Sequence, residues 1–204
     1  MKVLELFAGS RSIGKVCDVL GYEVFSSDIN AFDGIDYVVD ILDFEEGYVP
    51  FIPDIIWASP PCTSYSIAAI SHHRKDGVAT SDFAKKSDMM MARLQEILEY
   101  FLKLNPDLIY YVENPRGMLR KMPFMSYYPL RHTLTYCQYG DDRMKPTDIW
   151  TNNFDWKPRP MCKNGAPCHV AAPRGSKTGT QGLKGNYERS IVPPILCAEV
   201  LISI

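Results

Sequence analysis

The chain reads as an α/β domain built on an open, mostly parallel sheet. Two observations support this. Short apolar runs rich in β-branched and aromatic residues alternate with stretches of helical spacing. The residues with chemical potential, Phe7 and Gly9, Asp28, Asp40, Cys62 and Glu113, each follow the C-terminal end of a predicted strand, the edge where open α/β sheets bind ligands. A length of 204 residues, with 46% apolar and 23% charged side chains, suits one well-buried domain.

Residues 3–7 predict a first strand that runs into Ala8-Gly9-Ser10. Residues 12–20 carry Ile13, Val16, Cys17 and Leu20 at helical spacing, with Gly21 as a C-cap. Strands follow at 23–27, 37–39 and 54–58, the last entering Pro60-Pro61-Cys62. Residues 71–86 are polar and predict a mobile loop, with His72, His73, Arg74 and Lys75 placed to close over a bound substrate. A long helix is expected at 87–104, with Met90, Leu94, Ile97, Leu98 and Phe101 on one face. Further strands are expected at 108–112, 132–136 and 147–151, and a last helix at 193–202 with Pro193 and Pro194 in its first turn. The stretch 152–189, rich in Pro, Gly, Lys and Arg, is too polar for its own core and reads as an insertion. This divides the chain into a main domain at 1–151, the insertion, and a returning segment at 190–204.

The net charge is −2, yet residues 143–189 hold nine Lys and Arg against three Asp and Glu, a local +6 on a body of −8. Such a segment fits a phosphate-binding surface or a solvated loop. No apolar run of about 18 residues is present, so no membrane span is expected. The N-terminal run is interrupted by charge and lacks a small-residue cleavage site, so no signal peptide is expected. The six irregularly spaced cysteines then read as reduced thiols in a cytoplasmic protein.

Four motifs carry chemistry. The turn from Leu6 to Gly14 offers glycine and free N–H groups at a helix start. Asp28 is placed to accept from a ribose diol and Asp40 from an adenine amino group, the plain alternative being turn or N-cap aspartates. Pro60-Pro61-Cys62 holds a thiol rigidly at a strand end, where a thiolate can add to an electron-poor ring carbon. Glu113 sits at the next strand end and can donate to a ring nitrogen when protonated. Cys17 and Cys197 read as buried structural thiols.

These motifs together resemble the cytosine-C5 DNA methyltransferases, of the compact, phage-like kind. Phe7-Ala8-Gly9 is similar to their cofactor turn, Asp28-Ile29 and Asp40-Ile41 to their ribose and adenine contacts, and Pro61-Cys62, with Ser66 beyond it, to their nucleophile motif. Glu113-Asn114, then Gln138-Tyr139-Gly140 with Arg143 and Lys145, then Val192-Pro193-Pro194, complete a collinear set over nearly the whole chain. The resemblance implies a Rossmann-like S-adenosylmethionine-dependent methyltransferase fold with helices on both faces of the sheet. It implies a flipped-out cytosine in DNA as substrate, Cys62 as nucleophile toward C6, and Glu113, Arg143 and Lys145 as its catalytic partners. Phe7, Ala8, Gly9, Ser12, Asp28, Ile29, Asp40, Ile41 and Pro61 would contact the cofactor. A monomer is expected.

The sequence departs from the family at Ser10-Arg11-Ser12, Thr63, Pro115, Lys145 and Ser190-Ile191, and its target-recognition region, residues 152–189, is very short. Taken alone, the Pro-Cys thiolate also fits folate-dependent pyrimidine chemistry, but the turn and the acidic strand ends favour S-adenosylmethionine. A non-catalytic DNA-binding relative and an RNA substrate stand as further alternatives. Cys162, Cys168 and His169 form a nonstandard Cys-x5-Cys-His set in a segment without a core, where zinc would help most; Cys137 is the candidate fourth ligand.

Overall fold

The structure, a computed structural model, describes residues 1–171, 183 and 185–203. Residues 172–182 and 184 of the expected insertion lie outside the described residues. The main sheet has seven strands in the order β3-β2-β1-β4-β7-β9-β8. They are β1 (Lys2–Leu6), β2 (Glu23–Asp28), β3 (Tyr37–Val38), β4 (Ile55–Ala58), β7 (Ile109–Pro115), β8 (Leu130–Thr135) and β9 (Pro146–Thr151). Strands β3 to β7 pair in parallel, while β9 enters antiparallel between β7 and β8. The mostly parallel sheet expected from the sequence is therefore present, and β9 is its one reversed strand.

Side-chain alternation divides the core into two layers. Leu4, Leu6, Ile56, Ala58, Tyr110 and Val112 face the long helix α3 (Asp82–Leu104), which buries Met91, Leu94, Ile97, Leu98 and Phe101 against them. Val3, Ile55, Trp57 and Tyr111 face the other way, onto Ile13 and Cys17 of α1 (Ser12–Leu20) and Leu196, Cys197, Val200 and Leu201 of α5 (Pro194–Ile202). Helix α1 keeps its expected limits because Gly21, at φ 69°, caps it in the left-handed conformation and returns its N–H to the carbonyl of Cys17. The buried thiols of Cys17 and Cys197 are core, as expected.

Helix α3 begins five residues before its expected start. The Ser81 hydroxyl accepts the N–H of Ala84 and Asp82 sits in the first turn, a capping signal hidden in a polar stretch. The mobile loop expected at 71–86 is corrected for the same segment. It folds as a short helical turn, α2 (Ile70–His73), and a hairpin of β5 (Arg74–Lys75) and β6 (Val78–Ala79). Arg74 anchors it: the guanidinium is buried, donates to the carbonyl of Ser64 and to Asp88, and lies 4.5 Å from the centroid of the Tyr65 ring. Of the four cationic residues read as a closing set, His72 and Lys75 are exposed, while His73 bonds Ser81. Among the described residues, no helix is long and apolar enough to cross a membrane.

A carboxyl group on β1 lies inside the sheet. Glu5, only 2% exposed, accepts the N–H groups of Ile13 and Gly14 at the start of α1 and the hydroxyl of Ser26 on β2. It ties β1, β2 and α1 together beneath the first turn. Burial pushes its carboxyl up from 4.5 to about 7 against the pull of those hydrogen bonds and of Arg11. A raised folded-state pKa means that its contribution to stability is complete below the unfolded value and is lost as pH rises through the folded one. The stability of the native chain minus that of Glu5→Gln is therefore expected to fall by up to about 3 kcal/mol between pH 4.5 and 7 in urea titrations. A difference that is flat or rises over that range would contradict this assignment.

Candidate active site

The first turn is built from backbone strain and one carboxylate. Phe7 takes a φ of 53° and Gly9 a φ of 51°. The left-handed region costs a residue with a Cβ about 1–2 kcal/mol, so Phe7 is held there by its surroundings. Asp28 does part of this: its Oδ2 accepts the N–H of Gly9 at 2.9 Å, while Oδ1 accepts that of Asn30. Asp28 thus has the turn-forming role of the plain alternative, and still lines the space above the turn.

That space is a cavity of about 290 Å³, near the lower end of the ~300–1,000 Å³ common for small-molecule sites. Of the residues expected to meet a cofactor, Phe7, Gly9, Asp28, Ile29, Asp40, Ile41 and Pro61 line it. Ala8 and Ser12 are not among the lining residues. Ala8 is buried, and the Ser12 hydroxyl accepts the N–H of Val192, pinning the returning C-terminal segment to α1. Asp40 N-caps a single turn by accepting from Leu42 and pairs with Lys86 at 2.6 Å. Burial raises its carboxyl, but those two contacts outweigh it and hold it below its ordinary value. Met90, Tyr187 and Ser190 complete the walls. Met90 was visible as a member of an apolar helix face, and Ser190 as part of a departure from the family pattern near the cofactor; Tyr187 carries no local signal, because only tertiary folding brings α4 (Asn186–Ser190) over the cavity.

The nonglycine turn residue Arg11 leaves the cavity clear. Its guanidinium pairs with Asp18 at 2.8 Å and Nε donates to Ser26, so it lies against β2 and the outer face of α1.

Beside the cavity, Cys62 caps a short turn after β4 and is half-buried. Register places Ala58 opposite Val112, which brings the Pro60-Pro61-Cys62 turn alongside Glu113 and Asn114. The Asn114 side-chain amide donates to the carbonyl of Pro60 at 2.9 Å in a buried bond. Glu113 is 4% exposed and accepts the hydroxyl of Tyr136 at 2.8 Å. Lys145 brings its Nζ to 3.9 Å from the same carboxylate, 4.4 Å from the Tyr136 ring centroid, and donates to the carbonyl of Arg189. Arg143 is differently engaged: its guanidinium binds Asp141 and the carbonyls of Glu188, Arg189 and Ile191. Cys62, Glu113 and Lys145 are thus gathered, while Arg143 clamps residues 188–191 over them. Tyr136 was missed as a site residue, since a strand-end tyrosine looks structural in sequence; Asn114 was named with Glu113 in the family motif but given no role of its own. Cys162, Cys168 and His169 converge with Cys137 in a separate cluster.

No protein-family model matches the chain. A protein of frog virus 3 (isolate Goorha), named "Probable DNA (cytosine-5)-methyltransferase", is 29% identical to it over 98% of this chain and 99% of its own. The two sequences are thus similar over nearly the whole of both chains. Among solved structures, DNMT2 of Spodoptera frugiperda matches at a TM-score of 0.53, over 84% of this chain and 57% of that one, with 17% identity. The Entamoeba histolytica methyltransferase EhMeth matches at 0.51, over 80% and 57%, with 14% identity. The chain spans just over half the length of these structures, and the likeness shows a shared Rossmann-like fold.

Burial and the Glu113 charge push the Cys62 thiol above its ordinary value, and Lys145 and Arg189 only partly oppose them. The rate of Cys62 alkylation by iodoacetamide, followed on its own peptide by mass spectrometry, is expected to rise with pH through a midpoint above ~8.5, the usual thiol value. Lys145→Met should move the midpoint higher still. A midpoint below the usual value would contradict the arrangement.

Proposed function

We propose that this protein is a DNA (cytosine-5)-methyltransferase acting through Cys62. The observation that carries the reading is the convergence of Cys62, Glu113 and Lys145 at strand ends adjoining the cavity that Asp28 and Asp40 line. The residues present fit S-adenosylmethionine. Asp28 and Asp40 offer acceptors to its hydroxyl and amino groups, and Phe7, Val39, Ile41 and Met90 offer apolar surface to its ring. When bound, that cofactor supplies an electrophilic methyl group.

The chain's own residues would do the rest. A cytosine turned out of the duplex is needed because C5 and C6 are shielded in the stack. The Cys62 thiolate adds to C6, and the ring electrons move toward N3, where a protonated Glu113 donates. Tyr136 and Lys145 hold that carboxyl group in place, and Lys145 offers a positive charge near the base. After methylation at C5, the C5 proton leaves to a base and the C6–S bond breaks, restoring the C5–C6 double bond and the thiolate while the N3 proton returns to the Glu113 carboxylate. Residues 1–151 carry this chemistry, the basic residues of 152–189 meet the DNA backbone, and 190–204 return to the cofactor side. The reading takes the protein as a cytoplasmic monomer.

Incubation with labelled S-adenosylmethionine and mixed DNA or RNA, followed by nucleoside mass analysis, is expected to give 5-methylcytosine in DNA. Label only in RNA, or at another position, would overturn the substrate assignment. Cys62→Ala should abolish transfer while binding of the cofactor, measured by calorimetry, persists. Glu113→Gln should slow transfer by ~10²-fold or more, the scale of a general acid–base group. Full activity in either variant would remove that residue from the mechanism.

A further inference from the structure

The side chains of Cys137, Cys162, Cys168 and His169 lie outside the site described above. Their ligand atoms, three Sγ and one imidazole nitrogen, all lie within 4.8 Å of one another. We propose that they form a closed Cys3His zinc site that fastens the loop after β9 to the body of the protein. This inference stands on geometry independent of the proposed methyl transfer.

The distances fit a tetrahedron around one ion. Zinc bonds of ~2.3 Å to sulfur and ~2.0 Å to nitrogen give edges of about 3.8 Å between sulfurs and about 3.5 Å between sulfur and nitrogen. Cys137 and Cys168 are 3.7 Å apart, and His169 Nδ1 is 3.6 Å from both Cys162 and Cys168. Cys137 and Cys162 are closer, at 3.1 Å, but well beyond the ~2.0 Å of a disulfide. Three thiolates and an imidazole are the donors that select zinc in a closed structural site. Among the described residues His169 Nε2 is buried without a hydrogen-bond partner, so placing the ring proton there leaves the Nδ1 lone pair facing the three sulfurs. Gln138 Nε2 also donates toward Cys168 Sγ, at 3.4 Å.

The surrounding chain is shaped to deliver these ligands. Cys137 lies in the turn Tyr136–Tyr139 that follows β8 and is buried. Cys162 is placed by its N–H, which donates to Thr135 Oγ1 at 3.0 Å. Gly165, at φ 82°, lets the loop reverse between Cys162 and Cys168, and the N–H of Val170 closes onto the carbonyl of Asp142. From 152 to 171 the described chain forms no helix or strand of its own. A metal cross-link supplies what burial does not. One end of that link is the residue next to Tyr136, the donor to Glu113, so the ion would brace the same turn that supports the candidate site.

The test is metal analysis of the full chain purified under reducing conditions. One zinc per chain is expected by atomic emission, and cobalt substituted for it should give the intense absorption of a tetrahedral thiolate-rich site. Cys168→Ser and His169→Gln, at sites away from the core, should each weaken zinc retention at least tenfold in competition with a chelator. Removing the metal from the unaltered chain should speed amide exchange in residues 161–171 while the strands stay protected. A metal-free chain that does not take up cobalt, zinc retained undiminished in both variants, or a Cys137–Cys162 disulfide in the reduced preparation would each overturn the proposal.

Discussion

A single buried hydrogen bond, from the side-chain amide of Asn114 to the carbonyl of Pro60, sets the relation between the two halves of the candidate site. Pro60 begins the turn that carries Cys62, and Asn114 follows Glu113 on the neighbouring strand. Breaking such a bond and leaving the carbonyl unpaired costs ~1–3 kcal/mol. More important here is position: the bond fixes where the thiol stands relative to the carboxyl group. Parallel pairing of β4 with β7 brings the segments together, and the two prolines limit how the turn can deviate.

Around this pair the protein spends buried charge on supports. Glu5 fastens the start of α1 to the sheet beneath the first turn, Asp28 holds the Gly9 backbone, and Arg143 clamps residues 188–191 from the far end of the chain. Lys145 then reaches Glu113 with its ammonium group while donating to Arg189. The cavity and the thiol therefore belong to one assembly. Its floor is the sheet, and its closing wall arrives almost 180 residues after the first turn, with the Val192 N–H bound to Ser12.

Much of this was legible before folding. Short apolar runs located the strands, and the strand ends located Asp28, Asp40, Cys62 and Glu113, because a parallel sheet places all those ends on one edge. What escaped was either polar or distant. The 71–86 segment looked loose because its order comes from one buried arginine and a serine cap, neither of which has a hydrophobic pattern. The start of α3 was hidden behind Asp82, Lys85 and Lys86 for the same reason. Tyr187 and Ser190 belong to the cavity only through tertiary return, and Arg143 is held by carbonyl groups that no sequence pattern marks. The Cys-x5-Cys-His spacing named three members of the metal-ligand cluster, while its convergence with Cys137 depends on the turn after β8.

The central claim, a covalent bond between Cys62 and C6 of cytosine, is tested most directly with DNA carrying fluorine at C5 of the target base. After methyl transfer such a base has no C5 proton to lose, so the double bond cannot re-form and the thiolate cannot be expelled. Incubation with S-adenosylmethionine should give a denaturation-resistant one-to-one complex, with the nucleotide mapped by mass spectrometry to the peptide bearing Cys62. Methylation of ordinary DNA with no trapped complex, or a complex at another residue, would contradict the account.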